Sequence, residues 1–186
     1  MSIVLETKRL ILTTANRKMT DDILSFHTRN KDHLLAWESR TTEEYYTRSY
    51  QRLIIRSERH RMRTMQGIDF WLIEKHSNVL MGKVSVFGIM MGNFRGCTIG
   101  YKLDKDYVGF GYMQEALNEV IRFLFNELKL HRIEINILPR NQRSVNVVNN
   151  LGFSLECESK DFMEVNGVWE NHLRFVRINP DIKPLE

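Results

Sequence analysis

The sequence predicts a mixed α/β fold of the α+β class, a β-sheet flanked by helices. Three observations carry that reading. Short runs of β-prone residues recur along the chain. Late in the chain a strand, a long amphipathic helix and another strand follow one another, the order of a helical crossover. Near the end, Asn166-Gly167 stands between two β-rich runs and is the strongest hairpin signal present.

Residues 9–14 form a first strand. Thr20-Asp21-Asp22 opens a helix, with Thr20 as N-cap, acids in the first turn, and Ile23, Leu24 and Phe26 turned inward. Residues 30–37 continue helically through Leu34, Leu35 and Trp37, and 38–41 form a loop. A long helix is expected from Thr42 to about Met65, with Tyr46, Tyr50, Leu53 and Ile54 on its apolar side. Much of the rest of that helix is arginine, at 48, 52, 56, 59, 61 and 63, opposed only by Glu58. It reads either as a solvated face or as a dock for an acidic or RNA-rich partner.

Residues 70–74 and 80–87 form a hairpin across His76-Ser77-Asn78. Residues 88–96 are loop, and 97–103 form the next strand, where Gly100 signals a bulge or a close backbone approach. From Met113 to Leu128 a broad apolar face marks a helix, with Glu115 facing away from any anion at its start. Residues 133–138 are a strand stopped by Pro139, and Asn141 caps a short helix that ends at Gly152. The terminal hairpin closes the fold. One domain is expected over residues 7–178, followed by a loose tail, 179–186.

Composition excludes several classes. The chain has 186 residues, 42% hydrophobic and 27% charged, as in an ordinary globular protein that buries a sizeable core. No apolar run approaches the roughly 18 residues of a membrane helix, and no signal peptide is read at the N-terminus. Cys97 and Cys157 are too far apart for a zinc or disulfide pattern, and both are expected to be buried packing residues in a cytoplasmic protein. The scattered histidines suggest no metal site. His131 and His172 read as packing or hydrogen-bonding residues. A net charge of +4 is a mild basic bias, concentrated in the arginine helix.

Chemistry concentrates around Gly109-Phe110-Gly111, between a strand and a helix. Glycine permits a sharp turn and a close ligand approach, and the amides of the following helix start attract anions. About thirty residues on, Asn141-Gln142-Arg143-Ser144 precedes Leu151-Gly152-Phe153. The order strand, Gly-x-Gly, helix, strand, Pro, Asn-x-x-Ser, helix, Leu-Gly-Phe resembles the GNAT superfamily of acetyl-CoA-dependent N-acetyltransferases. The stretch 30–38, Ile99-Gly100-Tyr101, Gly109-x-Gly-Tyr-Met-x-Glu-Ala-Leu, His131-Arg132-Ile133 and Asp161-Phe-x-x-Val-Asn-Gly-x-Trp resemble its RimJ/RimL group, which acetylates N-terminal amines of ribosomal proteins.

The resemblance implies the GNAT fold, a mostly antiparallel twisted sheet splayed between two parallel strands, with helices on both faces. It implies that Tyr101, Lys102 and Leu103 bind the pantetheine arm through their backbone. Val108, Gly109, Phe110, Gly111, Tyr112 and Met113 would hold the pyrophosphate. Asn141 would touch the pantetheine side, Arg140 and Arg143 the outer phosphates, and Ser144 would protonate the departing thiolate. Val108 and Phe110 stand where the family often carries basic or Gln residues, so backbone amides, or Lys102, Lys105 and Arg143, would carry the phosphate site. Trp37 and Glu38 would border the acceptor, with Glu38 and Glu164 as candidate bases. The family's catalytic Glu aligns with Met163, and neighbours on a strand face opposite ways, so Glu164 is no simple substitute.

Independently of the resemblance, an α-amine with a pKa of about 7.7–8.0 is roughly a tenth neutral at pH 7, against a few parts in ten thousand for a lysine. A site without a strong base therefore favours α-amines. The expected acceptor is a protein N-terminus, of a ribosomal protein or particle. A small-molecule amine and an RNA-binding assembly role for the arginine helix are the alternatives. Both monomer and homodimer stay open, and no membrane partner is expected.

Overall fold

In a computed structural model, which describes residues 2–184, eight strands form one sheet in the order β1-β2-β3-β4-β5-β6-β8-β7. The strands are β1 (Val4–Glu6), β2 (Leu10–Thr14), β3 (Gly67–Glu74), β4 (Leu80–Met90), β5 (Gly96–Leu103), β6 (Arg132–Ile137), β7 (Ser154–Val165) and β8 (Val168–Ile178). The helices are α1 (Thr20–Arg29), α2 (Lys31–Leu35), α3 (Arg48–Arg63), α4 (Tyr112–Asn126) and α5 (Gln142–Asn150). Every strand pair is antiparallel except β5 with β6. That parallel pair spans only Gly96↔Arg132, Cys97↔Ile133 and Thr98↔Glu134. Beyond it β5 stays with β4 and β6 stays with β8, so the sheet opens between them.

Both faces of the sheet are covered, as alternation along β3 requires. Phe70 and Leu72 enter the larger core with Leu117, Val120 and Leu124 of α4. Trp71, between them, enters a second core with Ile23 and Phe26 of α1 and Ile55 of α3. A strand buried on both faces reads as a continuous apolar run, as residues 70–73 do.

Several local expectations are corrected. Thr20 is the first residue of α1 and not its cap. Asn16 caps a 3-10 turn before it, accepting from Lys18 N at 2.9 Å, and the Thr20 hydroxyl donates to the Arg17 carbonyl. Leu24 is half-buried. The expected helix from Thr42 is broken at Thr47, whose extended backbone caps α3 after a short 3-10 turn. The inward face of α3 is Gln51, Ile55, Glu58 and Met62, while Tyr50 and Leu53 are exposed. Glu58 is buried because Trp71 Nε1 donates to it at 3.1 Å and Lys83 pairs with it at 2.6 Å. Lys83 also pairs with Asp69, which receives Arg61 and the Ser85 hydroxyl. No apolar periodicity reveals a face held by such pairs.

β4 runs on to Met90, so the loop before β5 is shorter than expected, and the bulge lies between Phe87 and Met90 while Gly100 keeps regular register with Ser85. β1 was not foreseen. It pairs with β2 from Val4 to Glu6. Cys97 is buried but Cys157 is exposed on β7. The first tail residues are held: Asn179 is buried, its amide facing the Phe125 and Leu130 carbonyls, and Arg95 donates to the Lys183 carbonyl. Residues 185–186 of the expected tail lie outside the described residues.

His27 in α1 is enclosed by Phe26, Trp71 and Tyr45, and Tyr45 Oη lies 3.1 Å from its Nε2. Burial first, then the charges of Lys102 and Lys83, push its pKa down from 6.5 to about 2. The unfolded chain therefore binds a proton that the fold refuses. Stability contributed by neutral His27 is complete above pH 6.5 and is lost as pH falls towards 2. We expect the loss to approach about 1.4 kcal/mol per pH unit below 6, and His27→Gln to flatten it. Urea unfolding at pH 7.5 and 5.5 checks this, and equal slopes for the two proteins would refute it.

Candidate active site

The open seam between β5 and β6 widens into a cleft of about 780 Å³. One end is the glycine turn. Gly109 and Gly111 have φ of 93° and 76°, conformations that side chains resist, and Gly111 is the N-cap of α4. The amides of Tyr112, Met113 and Gln114 follow that cap, while Glu115 N bonds back to Gly111 O. Early helix amides without internal partners point at whatever occupies the turn. Nothing lies within 4 Å of a Cβ placed on Gly109, so the approach is open.

Arg9, just before β2, lies beside this turn although it is not among the residues lining the cleft, and the sequence motifs gave no sign of it. Its Nη1 donates to the Phe110 carbonyl at 3.0 Å, and its guanidinium stacks 4.1 Å from the centre of the Tyr112 ring. Its Nε donates to Glu115 at 2.6 Å. The Glu115 carboxylate, as expected, faces away from the anion position, because Thr7 and the Arg9 backbone amide also hold it. Burial raises its pKa, but these donors outweigh burial and hold it below the usual carboxylate value. Arg9 Nη2 stands 3.7 Å from the position of a Gly111 Cβ.

The other expected phosphate cations divide. Arg143 lines the cleft and is exposed. Lys105 does not line it. Arg140 is engaged elsewhere, paired with Glu170, bonded to the Ala36 carbonyl at 3.1 Å and stacked on Trp37. It is a latch between the α2 loop and β8. Asn166, donating to Leu35 O, and Ser39, donating to Glu164 O, close the same seam. Lys102 pairs with Glu38 at 2.8 Å, on the opposite side of β5 from Tyr101. Val108 lines the cleft, whereas the Phe110 ring projects away and is 65% exposed.

Along the seam, Tyr101, Leu103, Asn141 and Ser144 line the wall next to the turn. Asn141 caps α5 as its residue type predicts, accepting from Ser144 N at 3.2 Å. Tyr101 donates to the Ser144 carbonyl at 3.2 Å and so ties β5 to α5. Burial pushes the Tyr101 hydroxyl up to about 12, so it remains a donor. The Ser144 hydroxyl makes no hydrogen bond among the described residues and is left for a ligand.

Strand register sorts the remaining lining onto one sheet face. Lys83 pairs with Lys102, Ser85 with Gly100 and Asn136 with Arg174, which places His172 on the same face. A Cβ at Gly100 would meet only the Phe87 ring, at 3.4 Å, so this glycine keeps the face open and forms no bulge. Asn136 Oδ1 is buried with no hydrogen-bond partner among the described residues. Such an orphan acceptor is costly unless a ligand donates to it. His172 is buried, its Nδ1 lies 3.0 Å from the Glu170 carbonyl, and a carbonyl only accepts. In the neutral ring Nε2 is then the acceptor. Expected to pack or to hydrogen-bond, His172 does both and also lines the cleft. Met163 lines the cleft and Glu164 does not, as strand alternation requires. Burial pulls the Lys102 ammonium below the ordinary lysine pKa, with Glu38 partly offsetting it.

Anion-seeking amides at one end, two strand edges without a partner strand in the middle and a free hydroxyl beside them fit a diphosphate, an amide-bearing arm and a thioester. These are the parts of acetyl-CoA. Among the described residues no group of His, Cys, Asp and Glu suits a metal, and no helix is long and apolar enough to cross a membrane.

Comparison with known proteins agrees. Residues 9–154 match the family described as an acetyltransferase (GNAT) domain. The protein named Probable N-acetyltransferase YjcK, of Bacillus subtilis (strain 168), is 35% identical over 161 residues, spanning 87% of this chain and 89% of that one. The ribosomal protein uS5-alanine N-acetyltransferase of Escherichia coli (strain K12) is 29% identical over 184 residues, spanning 97% of this chain and 93% of that one. The crystal structure of ribosomal-protein-S5-alanine acetyltransferase from Vibrio fischeri matches with a TM-score of 0.92 at 29% identity, over 98% of this chain and 100% of that one. With the family matched over most of its length and the cleft built for its cosubstrate, this chain belongs to the GNAT acetyltransferases and is an acetyl-CoA-dependent N-acetyltransferase.

Proposed function

We propose that the acceptor is the N-terminal α-amine of a protein, and of a ribosomal protein in particular. The observation that carries this reading is the acceptor end of the cleft. It offers Glu38, already paired with Lys102, and His172, whose Nδ1 faces the Glu170 carbonyl, while Lys83 on the same face is already paired with Glu58 and Asp69. With these carboxylates already taken by lysines, the face offers no unpaired carboxylate to hold an ammonium, so the acceptor enters most readily as a neutral amine. At neutral pH an α-amine supplies roughly a tenth of itself in that form, and a lysine side chain a few parts in ten thousand. The relatives from Escherichia coli and Vibrio fischeri, named for acetylating ribosomal-protein alanine, support the same class.

Bound acetyl-CoA supplies an activated thioester carbonyl. The chain's task is to place an amine against it and to move two protons. The α4 amides and Arg9 fix the diphosphate end, and the free edges of β5 and β6 align the arm between them. Glu38 and the Nε2 lone pair of His172 are the groups placed to accept the amine proton. The Ser144 hydroxyl gives a proton to the departing sulfur. Trp37, stacked under Arg140 and joined to the terminal hairpin through that latch, walls the acceptor entrance.

Four measurements test this. Ser144→Ala should lower kcat by about 100-fold with the KM for acetyl-CoA little changed, and an unaltered kcat would remove Ser144 from the mechanism. Glu38→Gln and His172→Gln separate the two bases. The true one loses about 100-fold in kcat and flattens the acid limb of the pH profile, while the other keeps that limb. Arg9→Ala should raise the KM for acetyl-CoA roughly tenfold, the worth of a charge-assisted hydrogen bond, and leave kcat nearly unchanged. Finally, turnover on peptides beginning with Ala, Ser or Met should exceed turnover on amino acids, polyamines and lysine side chains. A preference for a small amine would replace the protein acceptor with a metabolite.

A further inference from the structure

Helix α3 carries six arginines and a single carboxylate, a surplus larger than the net charge of +4 on the whole chain. The structure divides them. Arg61 pairs with buried Asp69 and Arg48 with Asp21. Arg52, Arg56, Arg59 and Arg63 are exposed and have no ion pair among the described residues. Glu58 offers them nothing, because it is turned inward to Trp71 and Lys83.

Those four positions follow a 4-3-4 spacing, so they fall within about 60° of arc along one flank of the helix. At 1.5 Å per residue they form a straight row of roughly 16 Å, with a guanidinium every 4.5–6 Å. The adjoining side of α3, about a quarter-turn from the row, is fixed in the fold by Gln51, Ile55 and Met62, so the row is presented on a rigid element. It lies outside the cleft, none of whose lining residues comes from α3.

We propose that this row docks the protein on RNA, through the phosphate backbone of a duplex segment. A regular line of cations on a rigid rod complements a regular line of anions, and a nucleic-acid strand presents a phosphate about every 3.4 Å along its axis. The helix uses arginine only, and a guanidinium fork grips a phosphate in two hydrogen bonds. A bilayer would demand a broad free apolar stripe, and the exposed apolar residues of α3 are Tyr50 and Leu53 alone. The contact reads shape and charge, not base sequence. It brings the catalytic cleft to a nucleoprotein without occupying it.

The test is fluorescence anisotropy of an RNA hairpin of about 20 base pairs, titrated with the whole protein from 50 to 200 mM salt. Four neutralised phosphates should give a slope of log K against log salt of about −3.6. The fourfold change to glutamine at 52, 56, 59 and 63 should remove most of that slope and weaken binding at least 100-fold at 50 mM salt. The fourfold change to lysine should keep most of the slope. Both variants should acetylate a short peptide within about twofold of the parent, which also shows that they fold. An unchanged slope in the glutamine variant, no RNA binding by the parent at 50 mM salt, or equally tight binding of polyglutamate would each overturn the proposal. The last result would assign the row to an acidic protein instead.

Discussion

The parting of β5 from β6 after three parallel pairs is the constraint on which the rest depends. Backbone amides and carbonyls at a strand edge must be satisfied, and inside a sheet they normally are. Here two neighbouring strands leave theirs open, because β5 continues with β4 and β6 with β8 along diverging lines. An extended, amide-bearing ligand completes the ladder on both sides. Helix α4 begins beside this gap, so the same opening that exposes strand edges also presents a helix N-terminus. The cofactor cleft is therefore a property of sheet geometry before it is a property of any side chain.

Side chains then polarise the cleft. On one side of β5, Tyr101 binds the backbone of α5 and brings Ser144 to the seam. On the other side, Lys102, Lys83, Asn136 and His172 share one face of the cleft. The buried network of Glu58, Asp69, Lys83 and Trp71 supports that face from behind. Burial of pairs of this kind contributes little to net stability, because desolvation offsets the attraction. Arg140 performs a similar service at the entrance, joining the α2 loop to the terminal hairpin.

Local chemistry was readable wherever a residue acts on its own neighbours. Asn141 caps α5 through an atom three residues away, Gly109 and Gly111 take left-handed backbone angles, and Asn166-Gly167 turns the hairpin. The α4 face followed from its spacing alone. Position within the strand pleat likewise separated Met163 from Glu164. The inward face of α3 was not readable, since Gln51 and Glu58 are buried by partners on α3's flanks and on distant strands. Thr47 breaks the expected long helix by an extended backbone, a choice that Ser, Asn and many other residues make as readily.

By itself the sequence determined the class of fold, the glycine turn, the Asn141–Ser144 cap and the family to which they point, because each rests on contacts within a few residues. Tertiary structure alone decided which partner each charge takes. Arg9 reaches the turn across 101 residues of sequence to bond the Phe110 carbonyl, and Lys102 turns to Glu38, 64 residues away. Arg140 turns from phosphate to Glu170 for the same reason. A charged side chain is long, and its partner is set by whichever opposite charge the fold brings within reach. The glycines mark where an anion can lie, and the packing of β2 against α4 determines which cation stands beside it.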